Sequence, residues 1–254
     1  GLTYAIPFHN STPILYYNKD LFKQAGIDQP PVDWSELLAD AKKLPDSAKG
    51  QWGVMLPSRN DDYGGWILSA LTRANGGNYY NADYPGEVYY NQPSTVGALR
   101  FWQNLVYRDK VMPAGMRENT KDFELGGAMM PKEIRNAVTI GGASLVSFKG
   151  ISDDQKKAAY TFLQYLVSPK VNGSWSRFTG YFSPRIAAYD TPEMKEYIAK
   201  DPRAAIALDQ LKFAMPWYAT YETVAVRQAM ENQLGALMND GKLTPEAAAA
   251  EAQK

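Results

Sequence analysis

Four times in the C-terminal part of this chain a short polar residue stands directly before a proline: Ser168-Pro169, Thr191-Pro192, Asp201-Pro202 and Thr244-Pro245. Proline lacks the N–H that a first helical residue cannot use anyway, and it disfavours helical geometry in the residue before it. Each pair therefore marks a helix start. With Ser152 and Glu222 as further starts, the pattern predicts helices over 152–167, 168–178, 191–199, 201–211, 222–239 and 245 to the end.

The first 150 residues read differently. Tyr4 to Pro7 and Ile14 to Tyr17 look extended, separated by a His9-Asn10-Ser11-Thr12-Pro13 loop. Asn18 caps a short helix that Gly26 ends. Asp33 and Glu36 form a capping-box-like pair ahead of a stripe of Trp34, Leu37, Leu38, Ala41 and Leu44. Gln51 to Leu56 reads as a strand, and Gly64-Gly65 precedes a helix carrying Trp66, Ile67, Ala70 and Leu71. A longer helix from Pro93 lines up Val96, Leu99, Trp102, Leu105 and Val106. A short helix is expected near Asp122, then an apolar piece to Met130, and Val138 to Phe148 reads as strand, Gly-Gly, strand. Strands mixed with helices, followed by a helical tail, indicate an α/β protein.

Composition excludes several functions. The 254 residues carry 27 Lys and Arg against 27 Asp and Glu, with no basic run, so the electrostatic footprint of a nucleic-acid binder is missing. No stretch reaches the ~18 apolar residues of a membrane-spanning helix. The absence of cysteine removes thiolate catalysis, disulfides and zinc or iron–sulfur ligation. It suits an oxidising compartment without identifying one. His9 is the sole histidine, so any Ser-His-Asp triad runs through it; a hydrogen-bonded loop histidine is the commoner reading. HExxH, GxSxG, Walker and GxGxxG patterns are all missing. No metal or cofactor is expected.

Binding chemistry is better represented. Seventeen Tyr and six Trp offer flat amphipathic rings of the kind that stack on sugar or polyol faces, although ordinary packing explains most single rings. Tyr181 follows the helix-ending Gly180 and so lies on a loop, where binding groups concentrate. Arg227 sits early in a helix beside Val224 and Met230, both expected on the core side. Its guanidinium needs either a protein carboxylate, the commoner case, or an anion brought into a cleft. A loop at Gly141-Gly142 is a place where backbone N–H groups can approach an oxyanion.

Taken in order, the phrases Pro7-Phe8-His9-Asn10-Ser11-Thr12-Pro13-Ile14-Leu15-Tyr16-Tyr17-Asn18-Lys19-Asp20, Trp34-Ser35-Glu36-Leu37, Ile140-Gly141-Gly142-Ala143-Ser144-Leu145, Ser168-Pro169 and Thr179-Gly180-Tyr181 resemble the substrate-binding proteins of ABC importers. The likeness is to the maltodextrin-binding-like cluster and, within it, the glycerol-3-phosphate and glycerophosphodiester binders. It implies a periplasmic binding protein fold with two lobes and a hinge cleft, a periplasmic or extracellular location, a small-molecule ligand, an ABC permease as partner, a monomeric state and no catalysis. By the same likeness Ser11, Gly142, Tyr181 and Arg227 match positions that hold a phosphate, and Trp66 one that packs on glycerol. It also implies lobe assignments: 1–8 in the first lobe and hinge, 9–130 mostly second lobe, 131–180 returning to the first, and 181–254 the helical end of the second. Relatives have a leading strand-helix-strand portion and a Gly/Ser-rich loop where this chain has Met130-Pro131, so the first lobe is expected to be incomplete. An oligosaccharide receptor, with Arg227 paired to a carboxylate, is the alternative; a secreted glycosidase is a more distant one.

Overall fold

The computed structural model describes residues 4–56, 63–81, 86–115, 124–218 and 220–254. They divide into two compact units. Unit 1 comprises 1–12 and 140–212, and unit 2 comprises 13–139 and 213–254. The changeovers at 12/13, 139/140 and 212/213 replace the sequence-based boundaries at 8/9, 130/131 and 180/181. The last moves furthest, because the helices after Tyr181 pack on their predecessors and stay in unit 1.

Unit 1 is built on β1 (Ile6–Ser11) and β5 (Gly141–Leu145), an antiparallel pair that aligns Asn10 with Gly142 and Ser11 with Gly141. The residues read as a loop around His9 and Ser11 are thus strand. Four helices follow: α5 (Asp153–Leu166), α6 (Pro169–Thr179), α7 (Pro192–Lys200) and α8 (Arg203–Gln210). Their starts obey the predicted chemistry. Ser152 and Gln155 form a reciprocal capping box on α5, and proline occupies the first turn of α6 and α7. Helix α8 starts two residues later than expected, with the Asp201 carboxylate accepting the Arg203 N–H at 3.1 Å.

Unit 1 has little interior. Phe182, Ala188 and Met194 are its buried apolar side chains among the described residues. Helix α5 buries none, and its rings Tyr160, Phe162 and Tyr165 face solvent.

Unit 2 holds the main core. It contains α1 (Lys19–Gln24), α2 (Trp34–Ala41), α3 (Tyr63–Ala74), α4 (Pro93–Tyr107), α9 (Thr223–Asp240) and α10 (Pro245–Ala252). Leu68 of α3, Leu99 and Trp102 of α4, Leu234 and Leu237 of α9, and Ala249 of α10 are all fully buried. The three-and-four spacing read in α4 is the packed face. Short strands complete the unit: β2 (Leu15–Asn18) antiparallel to β3 (Leu125–Ala128), and β4 (Val138–Thr139) parallel to β6 (Ala214–Met215).

Three expectations are corrected here. Gln51 to Leu56 forms no strand; its one ladder contact is an isolated bridge from Gln51 to Asp46. Gly64 and Gly65 lie inside the first turn of α3 rather than before it. Val224 is 69% exposed, whereas Met230 is buried as expected. The helix expected near Asp122 lies partly outside the described residues, and from Leu125 the chain is strand.

Candidate functional site

Three of the five sequence-derived positions meet on β1. Its one edge carries β5, bringing Gly142 opposite Asn10, and its other edge is bridged to Phe182, where Asn10 N–H donates to Phe182 O at 3.0 Å and the reverse bond measures 2.9 Å. Ser11, Gly142 and Tyr181 are drawn from three distant parts of the sequence into this patch. Gly142 is irreplaceable on steric grounds. Its φ is +130°, and a Cβ there would lie 2.1 Å from the His9 carbonyl oxygen. The expected Gly-Gly loop is therefore a close crossing of two strands.

Tyr181 is set by the end of α6. Gly180 takes the left-handed conformation and its N–H returns to Ser176 O, while Ser176 Oγ donates to Tyr181 O at 2.6 Å. The phenol ring, 37% exposed, lies 4.1 Å from the His9 imidazole between centroids. Trp175, one turn back on α6, donates its Nε1–H to His9 Nδ1 at 3.2 Å. Phe8 joins the group at 5.2 Å from Trp175. Beneath it, Asn172 Nδ2 donates to Phe8 O at 2.8 Å, and Ser183 Oγ donates to Asn172 Oδ1. His9 and Trp175 were missed as a pair by sequence reading, since 166 positions separate them.

Unit 2 carries Trp66 and Arg227. Trp66, in the first turns of α3, is half-buried against the core, and its carbonyl accepts Ser69 Oγ at 2.7 Å. Its indole N–H is buried without a protein acceptor. Glu231, one turn beyond Arg227 on α9 and 2% exposed, accepts the Gly65 N–H at 2.5 Å. The carboxylate thus sits on the positive end of α3. Glycine at 64 and 65 permits the approach, since a Cβ would meet Glu231 oxygens at 2.9 and 2.6 Å.

Arg227 is half-buried, with its guanidinium carbon 5.6 Å from the centre of the Trp217 ring. The segment around both residues is tied down by phenols. Tyr90 OH donates to Val226 O at 3.0 Å, so its single proton is spent and Tyr218 OH is the donor in the 2.6 Å Tyr90–Tyr218 contact. Burial pushes the Tyr79, Tyr90 and Tyr218 hydroxyls well above the ordinary tyrosine range, keeping them neutral. Pro216 O accepts both Tyr80 OH and Arg73 Nη2, the latter at 3.1 Å.

Described residues of unit 2 also line concavities, of which two are prominent. One, of about 340 Å³, is lined by residues including Tyr17, Phe22, Leu37 and Trp52, and the other, of about 770 Å³, by Glu87, Tyr89, Tyr221, Glu222 and Val226 among others. Neither includes any of the five positions. Among the described residues no group of three His, Cys, Asp or Glu side chains could hold a metal, and no helix is long and apolar enough to cross a membrane.

A model of the bacterial extracellular solute-binding protein family matches residues 1–173. The sn-glycerol-3-phosphate-binding periplasmic protein UgpB of Yersinia pseudotuberculosis is 29% identical over 295 aligned positions, covering 95% of this chain and 63% of that protein. UgpB of Pectobacterium atrosepticum is 30% identical, covering 81% and 53%. The chain spans less than two thirds of the length of these curated relatives. Among solved structures, UgpB from Mycobacterium tuberculosis in complex with glycerophosphocholine superposes with a TM-score of 0.83 at 24% identity, covering 100% of this chain and 70% of that one. Maltose-bound MalE3 of T. maritima gives 0.82 at 24%, covering 98% and 71%. These likenesses show a shared fold.

Proposed function

The chain belongs to the bacterial extracellular solute-binding protein family, and from that membership we propose that it is the receptor of an ABC importer, capturing glycerol-3-phosphate or a related polyol phosphate outside the cytoplasm. The reading rests on one observation above others: Ser11, Gly142 and Tyr181, far apart in sequence, meet around a single strand. There a hydroxyl, a phenol and backbone N–H groups are the donors that phosphate oxygens accept. In unit 2, Arg227 carries a positive charge and Trp66 an apolar face whose indole N–H meets no acceptor among the described residues, and by the family likeness both are proposed as ligand-binding. Charge-assisted bonds of this kind contribute about 1.5–3 kcal/mol each. The names of the UgpB relatives support the same ligand class. Binding is reversible and leaves the ligand unchanged; a membrane permease receives it from the monomeric receptor.

A sugar receptor is the second reading, favoured by the exposed rings of Trp175 and Tyr181 and by the maltose-bound structural neighbour. Calorimetry separates the two. With sn-glycerol-3-phosphate the parent protein is expected to bind and Arg227→Ala to lose at least tenfold in affinity, about 1.4 kcal/mol. Maltose binding that survives Arg227→Ala, with no response to glycerol-3-phosphate, selects the sugar reading.

A further inference from the structure

The strongest unassigned chemistry on β1 belongs to the chain's only histidine. Neutral imidazole carries hydrogen on one nitrogen and a lone pair on the other, and the hydrogen bond made by one fixes the state of both. Indole N–H is solely a donor. The 3.2 Å contact from Trp175 Nε1 therefore requires a lone pair on His9 Nδ1 and places the hydrogen on Nε2. Partial burial lowers the imidazole's affinity for a second proton, which favours this neutral form. Among the described residues nothing bonds to Nε2. Side-chain alternation along β1 sets His9 on the same face as Ser11, and its ring packs on Tyr181 at 4.1 Å.

We propose that His9 is a further ligand-binding residue, held by Trp175 as the Nε2–H tautomer so that it donates a hydrogen bond to a ligand oxygen alongside Ser11, Gly142 and Tyr181. The assignment rests on the receptor reading for its ligand, while the tautomer stands on the geometry alone. Trp175 is then a positioning residue: it acts on the ligand through the state of the imidazole. A fixed donor, rather than a ring exchanging between two tautomers, discriminates for acceptor oxygens at that point. Phosphate and hydroxyl oxygens qualify; an ammonium or amide N–H does not.

Because no second histidine exists, a long-range proton–nitrogen correlation spectrum reports this imidazole without assignment. The ligand-free protein at pH 8 is expected to show the Nε2–H pattern, and Trp175→Phe to shift it toward averaged tautomers. Saturating sn-glycerol-3-phosphate should move the Nε2 signals. By calorimetry His9→Phe should weaken that ligand at least fivefold, and His9→Gln, whose amide N–H reaches a similar place, should recover most of the loss. An Nδ1–H pattern overturns the proposal without any ligand being added. Parent protein that binds while the imidazole signals stay still, or while His9→Phe binds equally well, overturns it and leaves the receptor reading intact. Protein that binds neither glycerol-3-phosphate nor maltose ends both.

Discussion

Gly142 is the most tightly enclosed of the glycines at 142, 150, 173 and 180 in unit 1. An alanine methyl there would have to displace the His9 carbonyl and would hold φ in a region L-residues rarely adopt. Gly142→Ala is expected to cost about 2 kcal/mol or more, read as a lower urea midpoint. Gly65→Ala tests the corresponding contact in unit 2. Its methyl would lie 2.6 Å from Glu231 Oε1, and pushing that carboxylate off the end of α3 should cost roughly 1–2 kcal/mol. Residue by residue, legibility followed the range of the interaction. Gly180 and Tyr181 could be read locally, since a helix end and the ring after it are neighbours. Arg227 and the Gly141-Gly142 pair stood out locally as candidates, whereas the phosphate-holding role, Ser11 and Trp66 came from resemblance. His9 and Trp175 stayed hidden, because the bond joining them spans 166 positions and neither side chain has a pattern that names the other.

Helices show the same contrast between local and distant causes. The starts of α5, α6, α7 and α10 were legible because their causes are local: a capping side chain on α5 and α10, and a first-turn proline on α6, α7 and α10. Strands were legible only in part: Ile14 to Tyr17 and the pieces flanking Gly141-Gly142 were read as extended, but β1 continues through Ser11 because β5 and Phe182 bond to it, and Gln51 to Leu56 finds no strand to join. Packing also decides which substitutions matter. Trp102→Ala on α4 empties a fully buried site and should cost about 3–5 kcal/mol, whereas Phe162→Ser on α5, at 59% exposure, should change stability by no more than about 0.5 kcal/mol. Helices α2 and α4 are also tied electrostatically. Asp109, just past α4, accepts Arg108 at 2.6 Å and Lys42 at 3.0 Å. Burial pushes its carboxyl up, yet the two cations together hold it below the ordinary value. A depressed carboxyl stabilises the fold above its unfolded pKa of about 3.9 and loses that contribution as pH falls through the folded value. Asp109→Asn should therefore flatten the acid side of the stability profile, measured by urea unfolding between pH 7 and 3.

At the scale of the whole chain, the two units differ in how much interior they possess. Unit 2 owns nearly all of the buried apolar side chains, and unit 1 three of those described. Local stability follows buried apolar contact. Hydrogen exchange followed by mass spectrometry should show the amides of α5 exchanging well before those of α3 and α4, and equal protection across both units would contradict the division. Under the proposed receptor function, glycerol-3-phosphate is expected to raise the melting temperature with concentration, as any ligand specific for the folded state does. A different consequence follows from the pairing of β1 with β5. Asn10 Nδ2 donates to Gly141 O across 131 positions, so on a ribosome adding roughly 5–20 residues per second β1 emerges some 7 to 26 seconds before β5 exists to zip onto it. During that interval the edge of β1 that β5 will cover has its backbone groups open to other partners.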